Sequence, residues 1–119
     1  MNTTDLVVDL LRDALNVTVS TEMPSERQDG KRQHVMVAMS GDHSTPYLLK
    51  PRYDLLCWGT SDRDAHAIAV SAVQALQDAA IEHPYLSDCQ LETLSREEWS
   101  RNGQGRYLAV VDLIINTDN

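Results

Sequence analysis

The chain has 119 residues, a net charge of −8, 42% hydrophobic and 24% charged residues, and two cysteines. That length suits a single domain over residues 1–119, able to bury roughly two-thirds of its unfolded surface in one core. The charge argues against tight wrapping of nucleic acid. Two cysteines make no disulfide framework and fit a reducing cytosol, and no apolar run approaches the roughly 18 residues of a membrane span.

The N-terminal stretch MNTTDLVVDLLRDAL carries Asp5, Asp9 and Asp13 and no basic residue ahead of its apolar run, so it does not read as a signal peptide. Residues 4–16 predict a helix. Thr3 or Thr4 can cap it, and Leu6, Val7, Leu10, Leu11 and Ala14 recur at spacings of three and four. VTVSTE (17–22) alternates and is β-branched, as in a short strand. MPSERQDGKR (23–32) has turn formers and no periodicity, and reads as a loop or hairpin tip.

This loop opens the basic part of the chain. From Arg27 to Arg52, five cations (Arg27, Lys31, Arg32, Lys50, Arg52) face two anions (Asp29, Asp42), a net of +3, while the rest sums to −11. Such a segment is a solvated loop or a contact arm for an acidic partner or another copy of the chain. QHVMVAMS (33–40) predicts a second strand with Val35, Val37 and Met39 on one side, and GDHSTP turns the chain. LLKPRYDLLCW (48–58) predicts a third, with Pro51 at an edge or ahead of the paired part. Tyr53, Leu55 and Cys57 alternate there, so Cys57 reads as a buried, inert thiol.

Residues 65–80 predict an alanine-rich helix with Ala65, Ala69, Ala72, Val73, Leu76 and Ala80 facing inward, ended by His83-Pro84. Residues 90–95 and 106–116 predict two last strands joined by EEWSRNGQG. In the final one Tyr107, Ala109, Val111, Leu113 and Ile115 share a face, and Leu108, Val110, Asp112 and Ile114 the other. Trp99 lies in the polar joining loop, either folded back on a sheet edge or serving with Arg101 as an interface anchor. The order α-β-β-β-α-β-β has too few alternating helices for parallel crossovers. It implies an α+β fold, an antiparallel sheet with two helices packed on one face.

The densest chemistry is CWGTSDRDAH, residues 57–66. Gly59 can break the strand, Ser61 stands at the N-cap of the following helix, and Asp64 three residues on completes a capping-box pattern. Asp62 and Asp64 are then first-turn carboxylates placed favourably against the helix dipole. The competing reading joins Asp62, Asp64 and His66 as a metal or acid–base site of a small metal-dependent hydrolase. It lacks further ligands at a recognisable spacing. His34, His43 and His83 fall in no catalytic motif. The expectation is therefore a protein that is not an enzyme, with no cofactor and no metal.

The strand–helix passage PRYDLLCWG into an alanine-rich helix, and the closing GRYLAVVDLIINT, resemble the tail terminator (tail completion, or minor tail) proteins of long-tailed bacteriophages, especially those of actinobacteria. The resemblance spans about residues 4–117 and rests on element order and these patterns. It implies a structural virion protein of a siphovirus, assembled in the host cytoplasm and located at the tail–neck junction. Such a protein forms a ring, typically of six copies, that stops growth of the tail tube and offers a surface for head–tail joining. The implied partners are other copies of the chain, the tail tube protein and a head–tail connector or head-closure protein. Genomic DNA would pass through the lumen without specific binding. A head-closure or connector role is the alternative within that class. The residues expected to make subunit or partner contacts are Arg27, Lys31, Arg32, Trp99 and Arg101.

Overall fold

A computed structural model of the chain describes residues 2–23, 33–46, 48–97 and 105–116. Along them run α1 (Thr3–Ala14), β1 (Thr18–Ser20), β2 (His34–Asp42), β3 (Pro51–Gly59), α2 (Asp62–Glu82), β4 (Leu86–Arg96) and β5 (Gly105–Ile115). The strands form one sheet in the order β1-β2-β3-β5-β4. The fold is α+β, with both helices packed on one face of the sheet.

Three of the four pairings are antiparallel, as expected, but β1 pairs parallel to β2, with Val19 beside Val35. The sheet is therefore mixed, and β1 and β2 are not the two arms of an antiparallel hairpin; residues 24–32 of the expected loop or hairpin tip lie outside the described residues. A parallel pair needs a crossover of about a dozen residues, and the chain between Ser20 and His34 supplies that length. The return is pinned by His34, whose Nε2 lies 3.0 Å from Ser20 Oγ and 3.2 Å from the Glu22 carbonyl. β3 is the central strand. Pro51 opens it, a position that needs no ladder donor, so the edge placement does not apply.

The core lies between the sheet and the helices. Val35, Val37, Tyr53, Leu55, Cys57, Ala109, Val111, Leu113 and Ile115 come from the sheet, and Ile68, Ala69, Ala72, Val73 and Leu76 from α2, with Ala65 also fully buried. Alanines at the α2 contact let the helix axis lie close to the strands. In α1 the buried residues are Val7, Val8 and Leu11, with Leu6 and Leu10 at the margin. Ala14 is exposed, so the apolar face is rotated from the one expected.

Asn2, not Thr3 or Thr4, caps α1, its side chain accepting from the amides of Thr4 and Asp5. The two threonine hydroxyls instead meet the Tyr53 hydroxyl at 2.7 and 3.0 Å. A fully buried phenol needs such partners, and they tie α1 to the central strand.

Candidate assembly surfaces

The cluster at residues 57–66 resolves into a helix start. Ser61 caps α2, accepting from the Asp64 amide at 3.1 Å. Asp64 reaches back one residue beyond the usual capping box, accepting from the Thr60 amide at 2.8 Å. It also accepts from Gln33 Nε2, which lies 3.0 Å from each carboxylate oxygen. Partial burial pushes the Asp64 pKa up, but the bonds from Thr60 and Gln33 outweigh it and hold the group below its ordinary range. This one carboxylate links the end of β3, the start of α2 and the approach to β2.

The strand stops at Gly59, as expected: Gly59 is the last residue of β3 and pairs with Gly105, the first of β5. A Cβ on Gly59 would stand 2.3 Å from the Ala65 nitrogen, and one on Gly105 would stand 2.4 Å from the Asp62 nitrogen. The two glycines form a notch that admits the backbone of the first turn of α2.

The three residues of the hydrolase reading are not brought together. Asp62 Oδ2 lies 3.5 Å from Arg96 Nε. His66 packs edge-on against Tyr107, ring centroids 5.1 Å apart, and Asp64 is engaged as above. Among the described residues no group of three His, Cys, Asp or Glu side chains could hold a metal ion. Both cysteines are free and buried, and burial pushes each thiol up to about 12. Among the described residues no helix is long and apolar enough to cross a membrane.

The expected contact residues Arg27, Lys31, Arg32, Trp99 and Arg101 all lie outside the described residues. The residues that flank those two segments share one end of the sheet. Gln33 meets Asp64, Gly105 meets the first turn of α2, and the Glu97 amide donates to the Arg106 carbonyl at 2.9 Å.

The face of the sheet opposite the helices is a second candidate surface, unmarked by any motif. Strand alternation places Met36, Ala38, Leu56, Leu108, Val110 and Ile114 on it, all half-buried. Arg52 and Asp112 cross it as a bidentate ion pair at 2.7 and 2.9 Å. The Arg52 bond holds the Asp112 carboxyl below its ordinary range. Trp58 is only 2% exposed, with the Arg106 guanidinium 5.6 Å over its ring and His34 at its edge. The same alternation places Asp54 between Ala38 and Val110, Asp88 beside Ile114 and Arg106 beside Trp58. A face that mixes apolar side chains with acidic groups and paired cations suits a protein neighbour better than a DNA backbone.

The outer side of α2 is a third. Ala67, Val70, Ser71, Gln74 and Gln77 are exposed, and residues 65–77 include no Asp, Glu, Lys or Arg. Depletion of charge on an exposed face is a mark of interface composition.

No protein-family model and no curated protein matches this chain. Among solved structures it is similar to a chain of the virion of a native gene transfer agent particle, at 14% identity and a TM-score of 0.55. The match covers 93% of this chain and 84% of that one. At this identity the likeness establishes a shared fold.

Proposed function

We propose that this protein is a structural component of a phage or phage-like virion that works by binding and not by catalysis. It forms a ring on the end of the tail tube, stops tube growth and presents the surface for head–tail joining. The observation that carries the reading is the fold shared over 93% of the chain with a component of a gene transfer agent virion. The resemblance to tail terminators at PRYDLLCWG and GRYLAVVDLIINT points the same way, as do the charge-free stretch of α2 over residues 65–77 and the row of half-buried apolar side chains on the open sheet face.

The dimensions suit the role. The molecule measures 46 × 23 × 22 Å. Five strands are about 24 Å across and an eleven-residue strand about 36 Å long, so the long axis runs with the strands. Six copies side by side, strands along the ring axis, put their centres about 24 Å from it. Half of the 22 Å thickness subtracted from each side leaves a hole of about 26 Å, enough for a duplex about 20 Å wide. A net charge of −8 lets DNA slide past without adhering. Stopping a self-repeating assembly requires a different subunit that binds the growing face and offers an unlike one, the part this ring would play.

Electron microscopy of a lysate lacking this gene tests the proposal. DNA-filled heads beside unjoined tails of uncontrolled length are expected. Normal joined particles overturn the proposal, and empty unjoined heads beside normal tails transfer the protein to the head-closure role.

A further inference from the structure

We infer that β4 of one copy pairs with β1 of the next, with Arg96 opposite Val19. The inference rests on the ring reading and names the contact within it. All five strands stay in each repeat, so the ring keeps its width.

The sheet ends in two unlike edges. β4 runs for eleven residues along one, and β1 for three along the other. Among the described residues no strand covers the outer side of either. An edge with free amides and carbonyls is a template for a further strand. Register shifts interrupt β4 between Leu86 and Asp88 and between Leu91 and Thr93, which leaves Leu94, Ser95 and Arg96 as a regular stretch. The Glu97 amide donates to the Arg106 carbonyl, so by alternation the Arg96 amide and carbonyl point away from β5.

That stretch lies level with β1. Val19 is paired with Val35, Val35 with Cys57, Cys57 with Tyr107, and Tyr107 with Arg96. Thr18 and Glu97 end the next row, through His34, Trp58 and Arg106. Rotation about an axis along the strands moves nothing along that axis, so the two ends of a row meet between neighbouring copies. β1 runs with β2, while β2, β3, β5 and β4 alternate in direction, so β4 and β1 of adjacent copies are antiparallel. The two edges differ, so the contact is heterologous, the kind from which rings close.

The helix layer meets at the same levels. α1 spans from the Tyr53 row, where Thr3 and Thr4 bond, to the Val19 row, where the Arg12 Nε donates to the Val19 carbonyl at 3.0 Å. On the opposite flank those two rows end at Leu91 and Arg96. Val70 stands on that flank too, two helical turns from Asp62, which lies beside Arg96. Val70 and Leu91 are 44% and 41% exposed, and α1 of the next copy covers them. Asp9 stands one turn before Arg12 on the same side of α1, and both are exposed. Arg96, its side chain 60% exposed, is the cation that Asp9 meets across the contact.

Cross-linking of the full chain carrying Thr18→Cys and Glu97→Cys tests the register. Within one copy the two sites stand a sheet's width apart. Across the contact they form a pair that exchanges no backbone bonds, with Cα atoms about 4.5 Å apart and within disulfide reach. Mild oxidation should give a covalent ladder longer than a dimer, and neither single-cysteine chain should cross-link. Arg96→Pro removes an outward amide and no bond to β5. In sedimentation velocity it should weaken self-association at least about tenfold, with thermal unfolding barely changed. Absence of the ladder, a dimer from either single-cysteine chain, undiminished association of Arg96→Pro, or a wild-type chain monomeric up to about 1 mM overturns the inference. The ring and terminator reading is judged separately by the gene-deletion lysate, so a contact that fails these tests leaves that reading standing.

Discussion

Alanine at Gly59 should loosen the whole molecule. The added Cβ would lie 2.3 Å from the Ala65 nitrogen and 2.7 Å from both the Ala65 Cα and the Asp64 carbonyl carbon. Ordinary contact begins at about 3.4 Å, so roughly 1 Å must open against helix backbone, which cannot swing aside as a side chain would. A shift of α2 by that much carries Ala65, Ile68 and Ala69 off the sheet, and a gap of 0.5–1 Å forfeits about a quarter to a half of each contact. The cost belongs at the upper end of overpacking, about 3 kcal/mol. For 119 residues the unfolding entropy near the midpoint is about 0.25 kcal/mol/K, so the melting temperature should fall by about 12 °C. Calorimetric melts of Gly59→Ala and Gly41→Ala make the comparison internal. A Cβ on Gly41 meets Arg52 Cβ at an ordinary 3.5 Å, and that variant should stay within about 2 °C of wild type. A Gly59→Ala chain melting within about 3 °C of wild type would refute the notch as a close-packed contact.

Gly105→Ala should cost a similar amount, and the double glycine variant less than the sum, because one displacement of α2 relieves both clashes; melting temperatures of the three chains check this. Ser61→Ala and Asp64→Ala should each lower stability by about 0.5–2 kcal/mol in urea titrations, through the lost cap and the lost bonds to Thr60 and Gln33. Acid should destabilise in two steps. Burial lowers the His34 pKa, so the unfolded chain binds the proton first and stability falls as pH drops below about 6.5. Asp64 and Asp112 are held below their ordinary range, so their contribution is present above about pH 4 and is lost on further acidification through their folded values. Melting temperature against pH should show both steps, and His34→Gln should lack the first. Both thiols, buried and pushed up to about 12, should resist a disulfide reagent at pH 8 until the protein unfolds.

The local elements were legible in the chain because each is set by neighbours in sequence. The β5 alternation from Tyr107 to Ile115, the α2 stripe from Ala65 to Leu76, the Ser61 cap and the stop at His83 all follow from spacing or capping chemistry. What depends on residues far apart in the chain was decided only by the tertiary structure. The parallel pairing of β1 brings His34 to Ser20 and Glu22, fourteen and twelve residues back in the chain. Thr3 and Thr4 are drawn from capping by the buried Tyr53 hydroxyl some fifty residues on. Asp64 bypasses the usual capping bond for Thr60 and Gln33, and Gly59 is required by the helix that follows it. The row that sets Met39, Tyr53, Val111 and Leu91 side by side across the sheet has no local signature, since periodicity gives only the face on which a side chain stands. The level at which two strands lie side by side is set by the register of three intervening pairings.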